Sequence, residues 1–419
     1  MRPATVILGV IFLSALVGFV AANDTGENLV AAIQAEADRP ADPQPTERLD
    51  LRDVPIPTRL FYMVGSDNAE VVRSIKDVNG DGLDEIIVGI DESQEPNVFC
   101  LDGASQTVAE VVWSFQPDDG ASGGATWGEQ AIEVISDSDK NGFLNILVGT
   151  AWGGRTAYNL DSQLGDVIWK FDTYLEPDSG WVYSMAELND ITGDGVPECA
   201  FGAGSYNDTA YLIDGASVGG QASVIWRYPA ADGVVSVRDL GDVNGDGKHD
   251  PIFAVGDYGE AVVCIDGGST GPTATVAWAY DANASVWSLG VLPDITDDGV
   301  DEALAVTWAS NGNAIRAVNG ATGVEIWATT EVFGGGFSAQ LMPDINGDGH
   351  PEVIVGAKEA AVTLLDGTDG SVIWKTPVGT ANYGWVPSAR ATGDMNGDGV
   401  PDVIAASWDT YVYGMDGKY

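Results

Sequence analysis

DVNGDGLDE, residues 77–85, is the stretch on which the reading turns, because six further segments of the chain repeat its plan. They are DSDKNGFLN from Asp137, DITGDGVPE from Asp190, DVNGDGKHD from Asp242, DITDDGVDE from Asp294, DINGDGHPE from Asp344 and DMNGDGVPD from Asp394, at spacings of 60, 53, 52, 52, 50 and 50 residues. Each copy leads into a short apolar run (IIVG, ILVG, CAFG, IFAVG, ALAV, VIVG, VIAAS), too short for a helix and rich in Val and Ile, which reads as a buried strand. A second strand follows and ends in a turn: Asp102-Gly103, Asp161-Ser162, Asp214-Gly215, Asp266-Gly267, Asn319-Gly320, Asp366-Gly367 and Asp416-Gly417. Such pairs are expected to supply the positive φ of a tight hairpin. After six of the turns a further strand carries a tryptophan (Trp113, Trp169, Trp226, Trp278, Trp327, Trp374), and a fourth apolar stretch, such as VWSLGVLP before Asp294, leads into the next acidic segment.

Four strands in about 50 residues is the arithmetic of a propeller blade. The expected fold is therefore all-β, a seven-bladed β-propeller of four-stranded blades over residues 51–419. The last repeat reaches Tyr419, three residues after Asp416, without its Trp-bearing strand. Upstream, TRLFYMV places Phe61 16 residues before Asp77, the distance that also separates Trp226 from Asp242. Residues 57–65 are thus expected to complete the seventh blade and leave no open edge.

Within the nine-residue segment, side-chain oxygens fall at positions 1, 3, 5 and 9. These are Asp77, Asn79, Asp81 and Glu85; Asp137, Asp139, Asn141 and Asn145; Asp190, Thr192, Asp194 and Glu198; and Asp242, Asn244, Asp246 and Asp250. The remaining copies supply Asp294, Thr296, Asp298 and Glu302; Asp344, Asn346, Asp348 and Glu352; and Asp394, Asn396, Asp398 and Asp402. Position 7 (Leu83, Phe143, Val196, Lys248, Val300, His350, Val400) would offer its backbone carbonyl, and the Gly at position 6 permits the sharp turn that lets alternate oxygens converge. A hard cation with flexible oxygen coordination, Ca²⁺, is the expected cofactor, up to seven per chain; zinc would want Cys or His, and magnesium fewer protein ligands. An EF-hand reading fails because position 12 is apolar in all seven copies, from Val88 to Ala405. The Asp137 site should be weakest, with only Asp137 and Asp139 charged, and Thr192 and Thr296 mark the next two.

The chain carries 63 Asp and Glu against 18 Lys and Arg, a formal net charge of −45, which makes nucleic acid the wrong partner. Its 45% hydrophobic content separates it from a disordered acidic chain. Residues 1–22 read as a secretory signal peptide, with Arg2 before the apolar run 6–22 and Val20-Ala21-Ala22 at its end; an uncleaved anchor is the alternative. Residues 23–50 read as an acidic flexible linker. The expected location is outside the cytoplasm, extracellular or periplasmic, free or surface-attached, with no membrane span beyond the signal segment. Cys100, Cys199 and Cys264 are odd in number and far apart, so buried, unpaired thiols are expected.

These loops, with an acid or amide three residues after the Gly and then a short apolar strand, resemble the FG-GAP repeat of the integrin α-subunit propeller over about 363 residues. The Phe-Gly pair itself appears at Phe201-Gly202. The outer strands, such as LLDGTDGSVIW ending at Trp374, resemble the Trp-docking repeat of quinoprotein propellers. The integrin-like resemblance implies cation sites on the bottom face and partner binding on the top.

Aromatic residues gather where the top face should lie. Trp127, Trp181, Trp287, Phe337 and Trp385 precede acidic loops; Trp152, Tyr206, Tyr258, Trp308 and Trp408 follow the second strands. Such rings either plug the channel and pack between blades or stack on sugars or on a partner's side chains. The sequence lacks GxSxG, HExxH and paired His, with His249 and His350 as its two histidines. The reading is a monomeric, non-catalytic adhesion or recognition module for an extracellular protein or glycan. The alternative is a Ca²⁺-dependent propeller enzyme, a polysaccharide lyase or a quinoprotein-like dehydrogenase.

Overall fold

Strands covered on both faces need no polar alternation. The apolar runs after the acidic loops obey this: Glu85–Ile90, Asn145–Gly149, Cys199–Gly204, Pro251–Val255, Glu302–Trp308 and Glu352–Ala357 are buried along nearly their whole length. The computed structural model describes Met63 and residues 69–418, apart from 91–95, 107, 118–129, 152–153, 177–179, 205–207, 257–259, 309–313, 379–384 and 408–411. Residues Phe61–Tyr419 form one unit, an all-β propeller of seven sheets. Five sheets are four-stranded antiparallel meanders; blade 4 runs Val234–Asp239, Pro251–Val255, Ala261–Asp266, Thr275–Asp281, from the central channel outward. The expected signal segment and linker lie outside the described residues.

Two blades depart from four strands. Blade 2 has five, because Gly219–Gln221, part of the third repeat, pairs in parallel with its outer strand Val167–Asp172, with Gly219 opposite Trp169. Repeat arithmetic counts strands within a repeat and cannot see one lent by the next. Blade 7 shows three among the described residues: Ser388–Ala391, Val403–Ala406 and Val412–Met415. Its expected fourth strand at 57–65 lies outside the described residues except for Met63, which packs on Val88, Ile90, Phe99 and Leu101 of blade 1.

The core is a series of apolar layers between consecutive blades. Trp226, Val237, Phe253 and Val263 belong to the layer joining blades 3 and 4. Trp278, Val286, Leu289 and Val318 belong to that joining blades 4 and 5. The tryptophans act as clasps, as expected. Each of five donates its indole N–H to a turn carbonyl of the next blade: Trp113 to Ser162 (2.6 Å), Trp226 to Gly267 (3.2 Å), Trp278 to Gly320 (2.6 Å), Trp327 to Gly367 (2.9 Å) and Trp374 to Gly417 (2.9 Å). Trp169 is fully buried, and its N–H has no acceptor among the described residues.

The turn glycines are needed for a different reason from the one expected. Positive φ falls instead within the acidic loops, at position 6 (Gly82 to Gly399) and at position 4, where even Lys140 (61°) and Asp297 (59°) adopt it, and in three of the turns at a later glycine, Gly165, Gly323 and Gly370. The turn glycine is required by close approach. A Cβ at Gly103, Gly215, Gly267, Gly320, Gly367 or Gly417 would lie 1.8–2.1 Å from the position-8 carbonyl oxygen of its own blade's loop.

Serines stitch the inner strands together. The Oγ atoms of Ser184, Ser236 and Ser338 accept the backbone N–H of Val237 (3.0 Å), Leu289 (3.1 Å) and Ala389 (3.3 Å), each in the next blade. The Ser184 and Ser236 hydroxyls also donate to Gln130 Oε1 (2.7 and 2.6 Å), whose amide nitrogen reaches Ser288 Oγ (3.3 Å). Gln130 of blade 2 thereby joins blades 3, 4 and 5 across the channel.

Trp278→Phe keeps the ring but removes the N–H···O bond, and should lower stability by about 1 kcal/mol in a denaturant titration; Trp278→Ala should cost about 3–5 kcal/mol. Gly267→Ala should destabilise by about 1–3 kcal/mol through overpacking, whereas Gly220→Ala, with nothing within 4 Å, should stay within about 0.5 kcal/mol of the parent.

Candidate metal centres

Each acidic loop is folded by its own side chains before any ion is considered. The position-1 carboxylate accepts the N–H groups that a sharp turn leaves without partners. Asp77 takes Gly80 (2.6 Å), Asp81 (3.2 Å) and Gly82 (2.8 Å), and Asp190, Asp242 and Asp394 repeat all three contacts. Position 3 accepts from position 5, and position 5 from position 7, as in Asn79 with Asp81 (2.9 Å) and Asp81 with Leu83 (2.8 Å). The N–H groups of Gly399 and Gly397 hold the Asp394 carboxyl below the usual range.

Position 9 faces inward. Glu85, Asn145, Glu198, Asp250, Glu302 and Glu352 are 0% exposed and Asp402 is 1% exposed. In all seven loops this side chain accepts the N–H of position 2: Val78 (2.7 Å), Ser138 (2.6 Å), Ile191 (2.5 Å), Val243 (2.9 Å), Ile295 (3.2 Å), Ile345 (3.1 Å) and Met395 (2.6 Å). Burial pushes the carboxyls of Glu85, Glu198, Glu302 and Glu352 up, and that of Asp250 to about 6.

The second oxygen of position 9 is held differently from loop to loop. In Asp250, Glu302 and Asp402 it accepts the turn-glycine N–H of Gly267 (2.8 Å), Gly320 (3.0 Å) and Gly417 (3.2 Å). In Glu352 both oxygens are held by the N–H of Ile345, and Oε1 also by that of Asn346 (3.0 Å). In Glu198 it accepts the Thr192 hydroxyl (3.0 Å). Glu85 differs: its Oε1 is buried and has no hydrogen-bond partner.

Three acidic oxygens come within 4.8 Å of one another in two loops among the described residues, Asp77–Asp81–Glu85 and Asp190–Asp194–Glu198. The other five predicted sets do not draw three acidic oxygens together in this way. The Asp137 set, expected to be weakest, has an Asn at position 9. Its Asn141 amide turns to Asp139 (3.1 Å) and Asp161 (2.8 Å). The Asp190 set gathers despite Thr192, but carries a cation nearby: Lys140, at position 4 of the blade-2 loop, helps to lower Asp190, although burial opposes it and three backbone N–H groups do more.

Sequence reasoning missed the first residue of each turn, read only as a turn former. Asp161 and Asp366 accept from the position-3 or position-5 amides Asn141 (2.8 Å) and Asn346 (2.9 Å), and Asn319 donates to Asp298 (2.6 Å). Asp102 adds to the negative field at Glu85, after burial and the Asp77 and Asp81 charges. The signal was present in the sequence: an acid at the start of six of the seven turns.

Of the aromatic candidates, Trp127, Trp152, Tyr206, Tyr258 and Trp408 lie outside the described residues. Trp181 stands edge-on to Tyr183 at 6.0 Å. Trp287, Trp308, Phe337 and Trp385, from blades 5, 6 and 7, form one half-buried group, with Trp308 6.4, 5.6 and 6.2 Å from the other three ring centroids. The three cysteines are buried and unpaired, as expected, and burial pushes the Cys100 thiol up to about 12. Among the described residues no helix is long and apolar enough to cross a membrane.

Residues 344–405 match the FG-GAP-like repeat family. Among solved structures, BBS1N in complex with ARL6DN, soaked with lead, aligns with TM-score 0.53 and 12% identity over 85% of this chain and 95% of that one. The mercury-soaked form gives 0.51 and 11%, over 84% and 94%. At such identities the likeness speaks for the fold alone. No curated protein sequence matches the chain. The chain thus carries an FG-GAP-like repeat within a seven-bladed β-propeller.

Replacing Glu85 by Gln keeps an oxygen for the Val78 N–H and removes the buried charge. With its carboxyl pushed up by burial, the ionised form at neutral pH works against folding. Glu85→Gln should therefore melt above the parent in EDTA; if the Asp77 loop takes a calcium ion, the variant should melt below the parent in CaCl₂ and hold one calcium fewer per chain by elemental analysis.

Proposed function

We propose that this protein is an exported, calcium-loaded β-propeller that recognises an extracellular protein or glycan and carries out no chemistry of its own. The observation that supports it most is the buried, unpartnered Oε1 of Glu85 beside the Asp77 and Asp81 carboxylates. A carboxylate oxygen out of water without a donor is costly, and a divalent cation bound by oxygens alone removes that cost. The Asp77 loop is the first to fill and the Asp190 loop the second. The remaining five bind more weakly, because backbone N–H groups already hold both oxygens at position 9 or an amide stands there. Ions in these hairpins stiffen the bottom of the ring, and the opposite rim presents the aromatic group. The three thiols are buried, and His249 and His350 lie in acidic loops, which leaves recognition as the reading that these side chains support best. Export follows from the N-terminal reading of residues 1–22.

Thermal melts in CaCl₂ and in EDTA test the ion, and arrays of extracellular glycans and proteins, probed with and without chelator, test recognition. The melting temperature should rise with CaCl₂ and far less with MgCl₂, at least two calcium ions should remain per chain after dialysis, and ligand binding should weaken in EDTA. Identical melts in the two buffers would remove the calcium half of the proposal, and turnover of any array ligand the non-catalytic half.

A further inference from the structure

Lys358 stands apart in a chain with 63 acids to 18 bases. Arg73, Lys76, Arg227, Arg316 and Lys375 each pair with a carboxylate. The Lys358 ammonium instead lies 4.7 Å from the centroid of Trp308 and 4.5 Å from that of Trp385, with no hydrogen bond or ion pair among the described residues. Its neighbour Glu359 is taken by Lys375 at 2.8 Å. Burial holds the Lys358 amine below its usual range, and no carboxylate among the described residues raises it. A half-buried ammonium between two rings gains cation–π attraction but has three N–H donors to satisfy.

The position is built. The Lys358 backbone N–H donates to Gly335 O at 3.0 Å. Gly335 sits at φ +109°, and a Cβ there would lie 3.1 Å from Trp308. The run Gly334-Gly335-Gly336 therefore lets the blade-6 loop close on the Trp308 ring and hold the lysine against it.

We propose that the Trp308–Trp385–Lys358 group is the binding site for an acidic saccharide, a uronate or sulfated sugar unit. On binding, the ammonium turns from the rings it covers to the carboxylate or sulfate, and the indole surface it leaves takes the apolar face of the pyranose ring. This deepens the recognition reading above and rests on it. Charge complementarity selects the ligand: the surrounding protein repels polyanions, so an anion is admitted only where an unpaired cation meets a ring large enough to stack on. Trp287 and Phe337 widen the apolar floor beside Trp308.

The test titrates the full chain in CaCl₂ with an oligogalacturonate, a chondroitin sulfate oligosaccharide, a neutral glucan oligosaccharide and choline, following tryptophan fluorescence and calorimetry. The acidic oligosaccharides should shift the emission and bind at least tenfold more tightly than the glucan, with affinity falling as NaCl rises. Lys358→Gln should lose at least tenfold for the acidic ligands alone, and Trp308→Phe should weaken them without loss of fold by circular dichroism. Equal binding of neutral and acidic sugars, unchanged in Lys358→Gln, would overturn the charge selection while leaving glycan recognition standing. Binding of choline but no acidic sugar would make the group a cage for cations and overturn the proposal. No response to any saccharide would overturn it as well, and a protein ligand on the arrays would then keep the broader reading alive.

Discussion

Beneath each hairpin lies a side chain that should be in water, and the blade is organised around holding it. Removed from solvent, the position-9 acid must find donors, and the position-2 N–H and, in blades 4, 5 and 7, the turn-glycine N–H supply them. Gly267 shows how far the consequences run. Its N–H donates to Asp250, its Cα slides past the His249 carbonyl at a distance no side chain tolerates, and its carbonyl accepts Trp226 from the preceding blade. Gly320 and Gly417 make the same three contacts with Glu302 and Asp402 below and Trp278 and Trp374 beside them. Loop, turn and inter-blade clasp are therefore one unit.

The same oxygens are wanted by two kinds of partner. A backbone N–H stabilises the carboxylate inside one blade, and a cation would stabilise it together with positions 1 and 5. At Glu352, where the loop N–H groups of Ile345 and Asn346 take both oxygens, the three carboxylates do not gather. At Glu85, where one oxygen is left over, they do, and at Glu198 they do with the second oxygen on the Thr192 hydroxyl. Seven near-identical loops in sequence thus become a graded set in space.

The blades were legible because the acidic loop, the turn and the tryptophan recur with fixed spacing, and each has a distinct physical signature. The role of position 9 was only half legible. Its acidity reads as a ligand, yet its seven-residue reach back to the position-2 N–H becomes visible only once the hairpin is formed. The turn glycines were recognised for the wrong reason, since close approach to a carbonyl 16 to 19 residues earlier, such as that of Asp84 for Gly103 or Pro351 for Gly367, leaves no local mark. The Gly219–Gln221 strand was hidden because its partner lies in another repeat. The serine stitch was present all along, six residues before the loop at Ser184, Ser236, Ser288, Ser338 and Ser388, but a small polar residue in a strand draws no attention by composition.

Symmetry also says where recognition can reside. Features shared by seven blades fix the scaffold; a ligand without sevenfold symmetry must be read by what differs between them. The Gln130 amide links Ser184, Ser236 and Ser288 of blades 3, 4 and 5 at one level. Toward the loops stand Arg73, Glu133, Arg238 and Arg390, each four residues before its acidic segment, with Arg73 and Glu133 paired at 2.8 Å. Burial first, then the Arg73 charge, holds Arg390 below its usual range. Toward the opposite rim, the aromatic group and Lys358 come from blades 5 to 7. The three-glycine run that seats them has no counterpart in the other repeats, and a break in the repeat held by such specific backbone geometry is where binding selectivity belongs.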